Sequence, residues 1–153
     1  MAFIDTIAPP EASGETLEMY QQLQTGDGSV PNYARIFSHR PRLMEAWSVL
    51  QSTLRKTIEP RRYELATLAA ARAIGSSYCS LAYGKKLLNK YFSQEDLLSI
   101  AEDERSTVLT ETEVLVMKLA QKTAVSSSSV NRDDIQALRD QGLADEEIFD
   151  VVA

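Results

Sequence analysis

Apolar residues recur at helical spacing along nearly the whole chain, and no stretch alternates between apolar and polar residues as a strand would. Leu43, Trp47, Leu50 and Leu54 follow one another at intervals of four, three and four residues. This spacing predicts one amphipathic helix over residues 42–57 with Trp47 in the core. The whole pattern predicts an all-α domain of seven or eight helices.

Start and stop signals divide the chain into its elements. Pro60 suits the first turn of a helix, five alanines favour that helix, and Gly75 is placed to end it. Ser93 and Thr110 each precede an acidic residue by three positions, which is the spacing of a capping box. The predicted helices cover 15–24, 31–37, 42–57, 60–74, a segment from Ser76 or Ser77, 94–102, 111–124, a segment after Asn131 and a segment from residue 144. Small side chains permit close approach, so the alanine-rich helix should be central.

Length and composition indicate one domain over residues 1–153. The chain has 153 residues, of which 44% are hydrophobic, enough for one core. Neither a membrane span nor a secretory leader is evident, so a soluble cytoplasmic protein is expected. The last apolar stripe stops without a helix-ending signal, and we expect that helix to continue beyond residue 153.

Charge and metal-ligand types exclude several functions. A net charge of −6 would repel a phosphate backbone, so no nucleic-acid partner is predicted. One cysteine and one histidine supply neither an internal disulfide nor a usual zinc site. No metal or cofactor is therefore predicted.

The cysteine lies where a helix start would favour a reactive thiolate. Ser76 or Ser77 is expected to cap the new helix, and backbone amides in a first turn stabilise an anion. Ser76 precedes Cys79 by three residues and Tyr83 follows it by four, so the three would project from one side of that helix.

Glu64 falls on the preceding helix and could complete the site. The residues on its side of that helix, at four, seven and eleven positions further on, are Leu68, Ala71 and Gly75. A carboxylate on such an apolar face is expected to be partly buried and suited to proton transfer.

Structural roles compete with this hypothesis. Cys79 would then be a buried packing residue, Ser76 only a cap, and Tyr83 a core aromatic with a satisfied hydroxyl. Glu64 would be solvated or paired with Arg61 one turn earlier. The expected surface residues are His39, Arg61 and Arg62.

The segment "ELATLAAARAIGSSYCSLAYGK" resembles the core of the alkylhydroperoxidase D and carboxymuconolactone decarboxylase superfamily, and most of all its uncharacterised peroxidase-related branch. The flanking segments "VPNYARIFSHRP" and "LTETEVLVMKLAQKTA" are similar in order and spacing. The resemblance extends from about residue 4 to the end. It implies an all-helical fold that assembles as a homo-oligomer, either dimer, trimer or hexamer.

The resemblance also implies roles for the four residues. Active members carry a glutamate, a Cys-x-x-Cys pair whose second cysteine attacks the peroxide, and a histidine that relays protons with the glutamate. Here Glu64 and Cys79 match the glutamate and the attacking cysteine, while Ser76 replaces the resolving cysteine and Tyr83 replaces the histidine.

The function implied is an antioxidant peroxidase with a single cysteine nucleophile. Its partners would be a peroxide substrate and an external thiol reductant, because a serine cannot form a disulfide. Glu64 would act as the base and Tyr83 as a hydrogen-bond donor. Two alternatives stay open: a degenerate helical oligomer with a binding or structural role, and a carboxymuconolactone decarboxylase-like enzyme.

Overall fold

A computed structural model describes residues 3–88, 90–103 and 106–153 and confirms the all-α class. Within these residues the regular structure consists of nine α-helices, short 3-10 segments and one isolated bridge between Leu88 and Phe92. The helices are α1 (Gly14–Leu23), α2 (Asn32–Ile36), α3 (Pro41–Thr57), α4 (Pro60–Ala73), α5 (Ser77–Leu87), α6 (Gln94–Glu102), α7 (Glu111–Ser126), α8 (Arg132–Asp140) and α9 (Asp145–Val152). The predicted total of seven or eight helices is thus too low, although each of the nine segments that the start and stop signals marked overlaps one of these helices.

The chain groups into two compact units that divide after Thr53. The first unit has a small core of Met19, Tyr20 and Met44. The Tyr20 hydroxyl donates a hydrogen bond of 2.7 Å to the carbonyl of Ile7, which fixes the N-terminal segment to α1. The expectation of a single domain over the chain stays a prediction.

Helix α3 forms where predicted, but its apolar stripe is not core. Trp47 is 46% exposed, and Leu43 and Leu50 are 58% and 49% exposed. Met44 is the buried residue of this helix. The prediction that Trp47 is a core residue is therefore wrong, because periodicity identifies an apolar face without identifying what covers it.

Helix α4 is the centre of the second unit, as predicted, and packs against α5 and α7. Leu65, Leu68 and Ala69 belong to one buried cluster, and Ala66 belongs to another that includes residues of α7, α8 and α9. The alanines allow neighbouring helices to approach closely. This packing holds the face of α4 that carries Glu64 against the rest of the unit.

Two basic residues of α4 depart from the surface role expected of them. The Arg61 Nε lies 2.6 Å from an oxygen of Glu113, and its guanidinium stacks 4.4 Å above the Phe92 ring. Arg62 approaches Glu147 at 3.5 Å. Both arginines are therefore partly buried structural groups, and the prediction of a solvated basic face is wrong. His39, in contrast, is exposed as predicted.

In the described part of the chain, no helix combines the length and the apolarity that crossing a membrane requires.

Candidate active site

A glycine junction between α4 and α5 sets the position of Cys79. Gly75 has a φ of 73°, a left-handed conformation that glycine adopts without strain and that ends α4. Ser76 then caps α5, and its hydroxyl oxygen accepts a hydrogen bond of 3.4 Å from the backbone N–H of Cys79. Cys79 is thus the third residue of α5 and lies in its first turn, as the sequence predicted.

The Cys79 side chain is a free thiol and partly exposed. Within the described residues its sulfur makes no hydrogen bond; the recorded contact at this position is from its backbone amide to Ser76. That contact uses an amide that was expected to be available to an anion. The local structure therefore makes the thiol accessible to solvent but places no hydrogen-bond donor against its sulfur.

Glu64 is buried at 8% exposure and contacts two cations. One oxygen, Oε1, accepts a hydrogen bond of 3.1 Å from Nη1 of Arg55 at the end of α3. The other, Oε2, lies 3.6 Å from Nζ of Lys86 on α5 and has no hydrogen-bond donor. The partly buried carboxylate is confirmed, whereas pairing with Arg61 is wrong because Arg61 pairs with Glu113.

The two cations that contact Glu64 each lie over the ring of a tyrosine. The Arg55 guanidinium lies 4.4 Å from the ring centroid of Tyr63, and the Lys86 ammonium lies 4.4 Å from that of Tyr83. The two ring centroids are 6.4 Å apart. We call Arg55, Tyr63, Glu64, Tyr83 and Lys86 the Glu64 cluster.

Burial changes proton affinity within the cluster. It raises the pKa of Tyr83 far above its usual range, with the neighbouring Tyr63 adding to the effect. The hydroxyl therefore stays protonated and can donate a hydrogen bond but cannot act as a base near neutral pH. Burial also lowers the pKa of Lys86, an effect that the charge of Glu64 partly opposes.

The four predicted site residues form two pairs in the structure. Glu64 and Tyr83 belong to the Glu64 cluster, while Ser76 and Cys79 meet at the start of α5. Tyr83 follows Cys79 by one turn on α5, which is a rise of about 6 Å along the helix axis.

The sequence reasoning missed Arg55 and Lys86. Lys86 follows Tyr83 by three residues and Cys79 by seven, so helical spacing alone could have placed it on the same side of α5. Arg55 lies beyond the break at Glu59 and Pro60, and only the packed structure shows that it reaches Glu64.

The described residues contain a cavity and no cluster suited to a metal ion. No group of three or more His, Cys, Asp or Glu side chains there is arranged to hold a metal ion. A cavity of about 570 Å³ lies within the first unit, beside α1 and α3, with Glu15, Met19 and Met44 among its lining residues. None of the predicted site residues lines that cavity.

A solved structure identifies the fold. A protein from Ralstonia eutropha JMP134, described as an alkylhydroperoxidase AhpD core and an uncharacterised peroxidase-related protein, matches with a TM-score of 0.79. The match covers 97% of this chain and 80% of that one, at 21% sequence identity. This chain has the AhpD core fold. At this identity the match shows the fold alone. No protein-family model and no curated protein matches the chain.

Proposed function

We propose that this chain is a thiol-dependent peroxidase that uses Cys79 as its single nucleophile. The AhpD core fold supports the proposal, as does the observation that carries it: a buried Glu64 carboxylate with one unsatisfied oxygen on the helix that precedes the cysteine. A bound water or a peroxide O–H would give Oε2 the hydrogen bond that the Lys86 ammonium, 3.6 Å away, does not make.

The chemistry proceeds in two balanced stages. The Cys79 thiolate attacks the outer oxygen of ROOH, the O–O bond breaks, and the departing alkoxide takes a proton to become ROH, leaving a sulfenic acid on Cys79. One external thiol condenses with the sulfenic acid and releases water. A second thiol then displaces the first as a disulfide and restores the Cys79 thiol.

The surrounding residues have separate roles in this scheme. Glu64 accepts, through a bridging water, the proton that leaves the thiol or the peroxide. Tyr83 stays protonated and donates a hydrogen bond to the oxygen on which charge develops. Ser76 caps α5 and takes no part in the redox step, which is why the reductant must come from outside the chain.

Peroxide consumption with a supplied dithiol tests the proposal. The wild-type protein should turn over an alkyl hydroperoxide, and Cys79→Ser should abolish that turnover. Because the chain has one cysteine, a dimedone adduct formed after peroxide treatment reports sulfenic acid at Cys79 alone. Equal rates for the variant and the wild type would remove the nucleophile from the mechanism.

A matched pair of variants separates catalysis from folding at Glu64. Glu64→Gln should lower the rate by roughly 10²–10⁴-fold if the carboxylate transfers a proton. Glu113→Gln breaks another buried ion pair of the second unit, the one with Arg61, and should leave the rate of the folded protein unchanged. Equal losses in both variants would assign the effect of Glu64 to structure.

Absence of turnover with an inert thiol would favour the degenerate alternative, a helical oligomer with a binding or structural role. Turnover of a muconolactone-type acid by a Cys79→Ser variant would instead favour the decarboxylase-like alternative, which needs no cysteine. The first result is measured on the wild-type protein and the second on the variant, so the two alternatives are distinguishable.

We also propose that the protein assembles as a homo-oligomer. The exposed stripe of Leu43, Trp47 and Leu50 supports this, since a contiguous exposed apolar face is typical of protein contacts. Sedimentation velocity of the wild type and of Trp47→Glu tests it. A wild type that is monomeric at high concentration would contradict the proposal.

A further inference from the structure

We infer that Arg55 and Lys86 form an anion subsite that binds a carboxylate of the substrate. The hydroperoxide reduced at Cys79 would then belong to the class of alkyl hydroperoxides that carry a carboxylate. The inference deepens the proposed function and rests on it for the reaction, but not for the binding.

The Glu64 cluster has more positive than negative charge. Two cations, Arg55 and Lys86, contact the single carboxylate of Glu64. A guanidinium has five N–H donors and an ammonium three. The cluster uses one guanidinium bond to Glu64, and the lysine makes an ion pair at 3.6 Å without a hydrogen bond, so several donors stay available.

The two cationic heads are open to solvent while Glu64 is not. The side chains of Arg55 and Lys86 are 36% and 44% exposed, against 11% for that of Glu64. An anion arriving from solvent therefore meets the cations before it meets the carboxylate. It would accept hydrogen bonds from the unused donors and offset the repulsion between the two cations. Burial is the largest cause of the lowered pKa of Lys86; the charge of Arg55 adds to it, and the charge of Glu64 opposes it.

The local charge is opposite in sign to that of the molecule. The chain has a net charge of −6, so a general attraction for anions cannot come from the surface as a whole. Selectivity for an anionic substrate would have to arise at this cluster.

Helix geometry sets the distance between the subsite and the thiol. Cys79, Tyr83 and Lys86 follow one another at intervals of four and three residues on α5, so they lie on one side of the helix. The rise from Cys79 to Lys86 is about 10 Å. A hydroperoxide with several carbon atoms between its peroxide and its carboxylate would reach both groups.

Two maleimides that differ only in charge test the subsite without any turnover. Maleimidocaproic acid has a carboxylate at the end of a flexible spacer, and its methyl ester is neutral. We expect Cys79 to react about fivefold faster with the acid than with the ester, relative to a neutral small thiol, since one partly exposed ion pair contributes a factor of this size. An acid-to-ester ratio equal to that of the small thiol would overturn the inference.

Variants assign the effect to the cluster. Lys86→Gln should return the acid-to-ester ratio to that of the small thiol. Lys85→Gln removes the same charge from the adjacent, exposed residue of α5 and should keep the wild-type ratio. An equal fall in both lysine variants would overturn the inference by showing a diffuse surface potential. Arg55→Lys, which preserves the charge, should retain most of the effect.

Turnover supplies a second measurement. Linoleic acid hydroperoxide should have a KM about fivefold below that of its methyl ester, and Lys86→Gln should remove this difference. Equal KM values for acid and ester would refute the subsite without refuting the peroxidase activity. A maleimide preference in a protein that consumes no peroxide would sustain the subsite and refute the peroxidase.

Discussion

The ion pair between Arg61 and Glu113 should be among the stronger single contributions to the stability of the second unit. The Arg61 Nε lies 2.6 Å from Glu113 Oε1, and the carboxylate also accepts a bond from the backbone N–H of Thr110, which closes the capping box of α7. Glu113 is 6% exposed. Glu113→Gln removes the charge but retains an oxygen for the cap.

The magnitude follows from burial. Breaking a fully buried pair by removing one partner costs about 3–5 kcal/mol. Arg61 retains 28% exposure of its side chain and a bond to the carbonyl of Val108, so part of its charge stays compensated. We expect Glu113→Gln to lower the free energy of unfolding by about 2–3 kcal/mol, and Glu113→Ala by about 1 kcal/mol more because the cap is also lost.

Urea denaturation followed by circular dichroism measures both changes, provided that the slope of the transition is the same in all variants. The pair between Arg139 and Asp145 is the matched control: its Nε–Oδ1 distance is 2.8 Å, but its side chains are 44% and 70% exposed. Asp145→Asn should shift the transition midpoint much less than Glu113→Gln does. A loss below about 0.5 kcal/mol for Glu113→Gln would refute the reasoning, because that value is typical of an exposed pair.

Three further outcomes are expected. Ser76→Ala should lower the free energy of unfolding by about 1 kcal/mol without lowering the peroxidase rate of the folded protein; a lost rate would instead give Ser76 a part in catalysis. Gly75→Ala should destabilise the fold by about 1 kcal/mol, because the φ of 73° is strained for alanine although nothing lies within 4 Å of the added methyl. Gly84→Ala lies inside α5, is equally open and should stabilise the fold. Changes of the same sign for both variants in urea denaturation would contradict this. A hydrogen bond from the Lys122 ammonium holds the pKa of Asp134 below its usual range, and the backbone N–H of Asn131 adds to the effect. This carboxylate therefore stabilises the fold at pH values above its unfolded pKa of about 3.9, and the stabilisation is lost as pH falls through the lower, folded pKa. Asp134→Asn should therefore destabilise at pH 7 and match the wild type at the acid end of a pH series; a difference that persists in acid would exclude the ionised form as its source.

Local signals predicted the helices well because capping and backbone conformation depend on neighbours in sequence. The boxes at Ser93 and Thr110 form as their spacing predicted, and Gly75 and Ser76 form the expected junction. These features need only a few consecutive residues, and no tertiary contact has to be known.

Long-range contacts were beyond the reach of the pattern. The sequence identified the apolar side of α4 around Glu64 but not the Arg55 and Lys86 that neighbouring helices bring to it. Arg61 was assigned to solvent because its partner, Glu113, lies 52 positions away. Helix spacing thus predicted where the four site residues lie along α4 and α5. The charges around Glu64 depend on packing, which the spacing does not show.

The exposure of Trp47 determines what the protein's fluorescence can report. The chain has one tryptophan, and its indole is already 46% exposed in the folded chain. Its emission should therefore shift little when an isolated chain unfolds, so circular dichroism is the better monitor of stability. Covering the indole would move the emission to shorter wavelength, which makes Trp47 a built-in optical probe for association in dilution experiments that need no added dye.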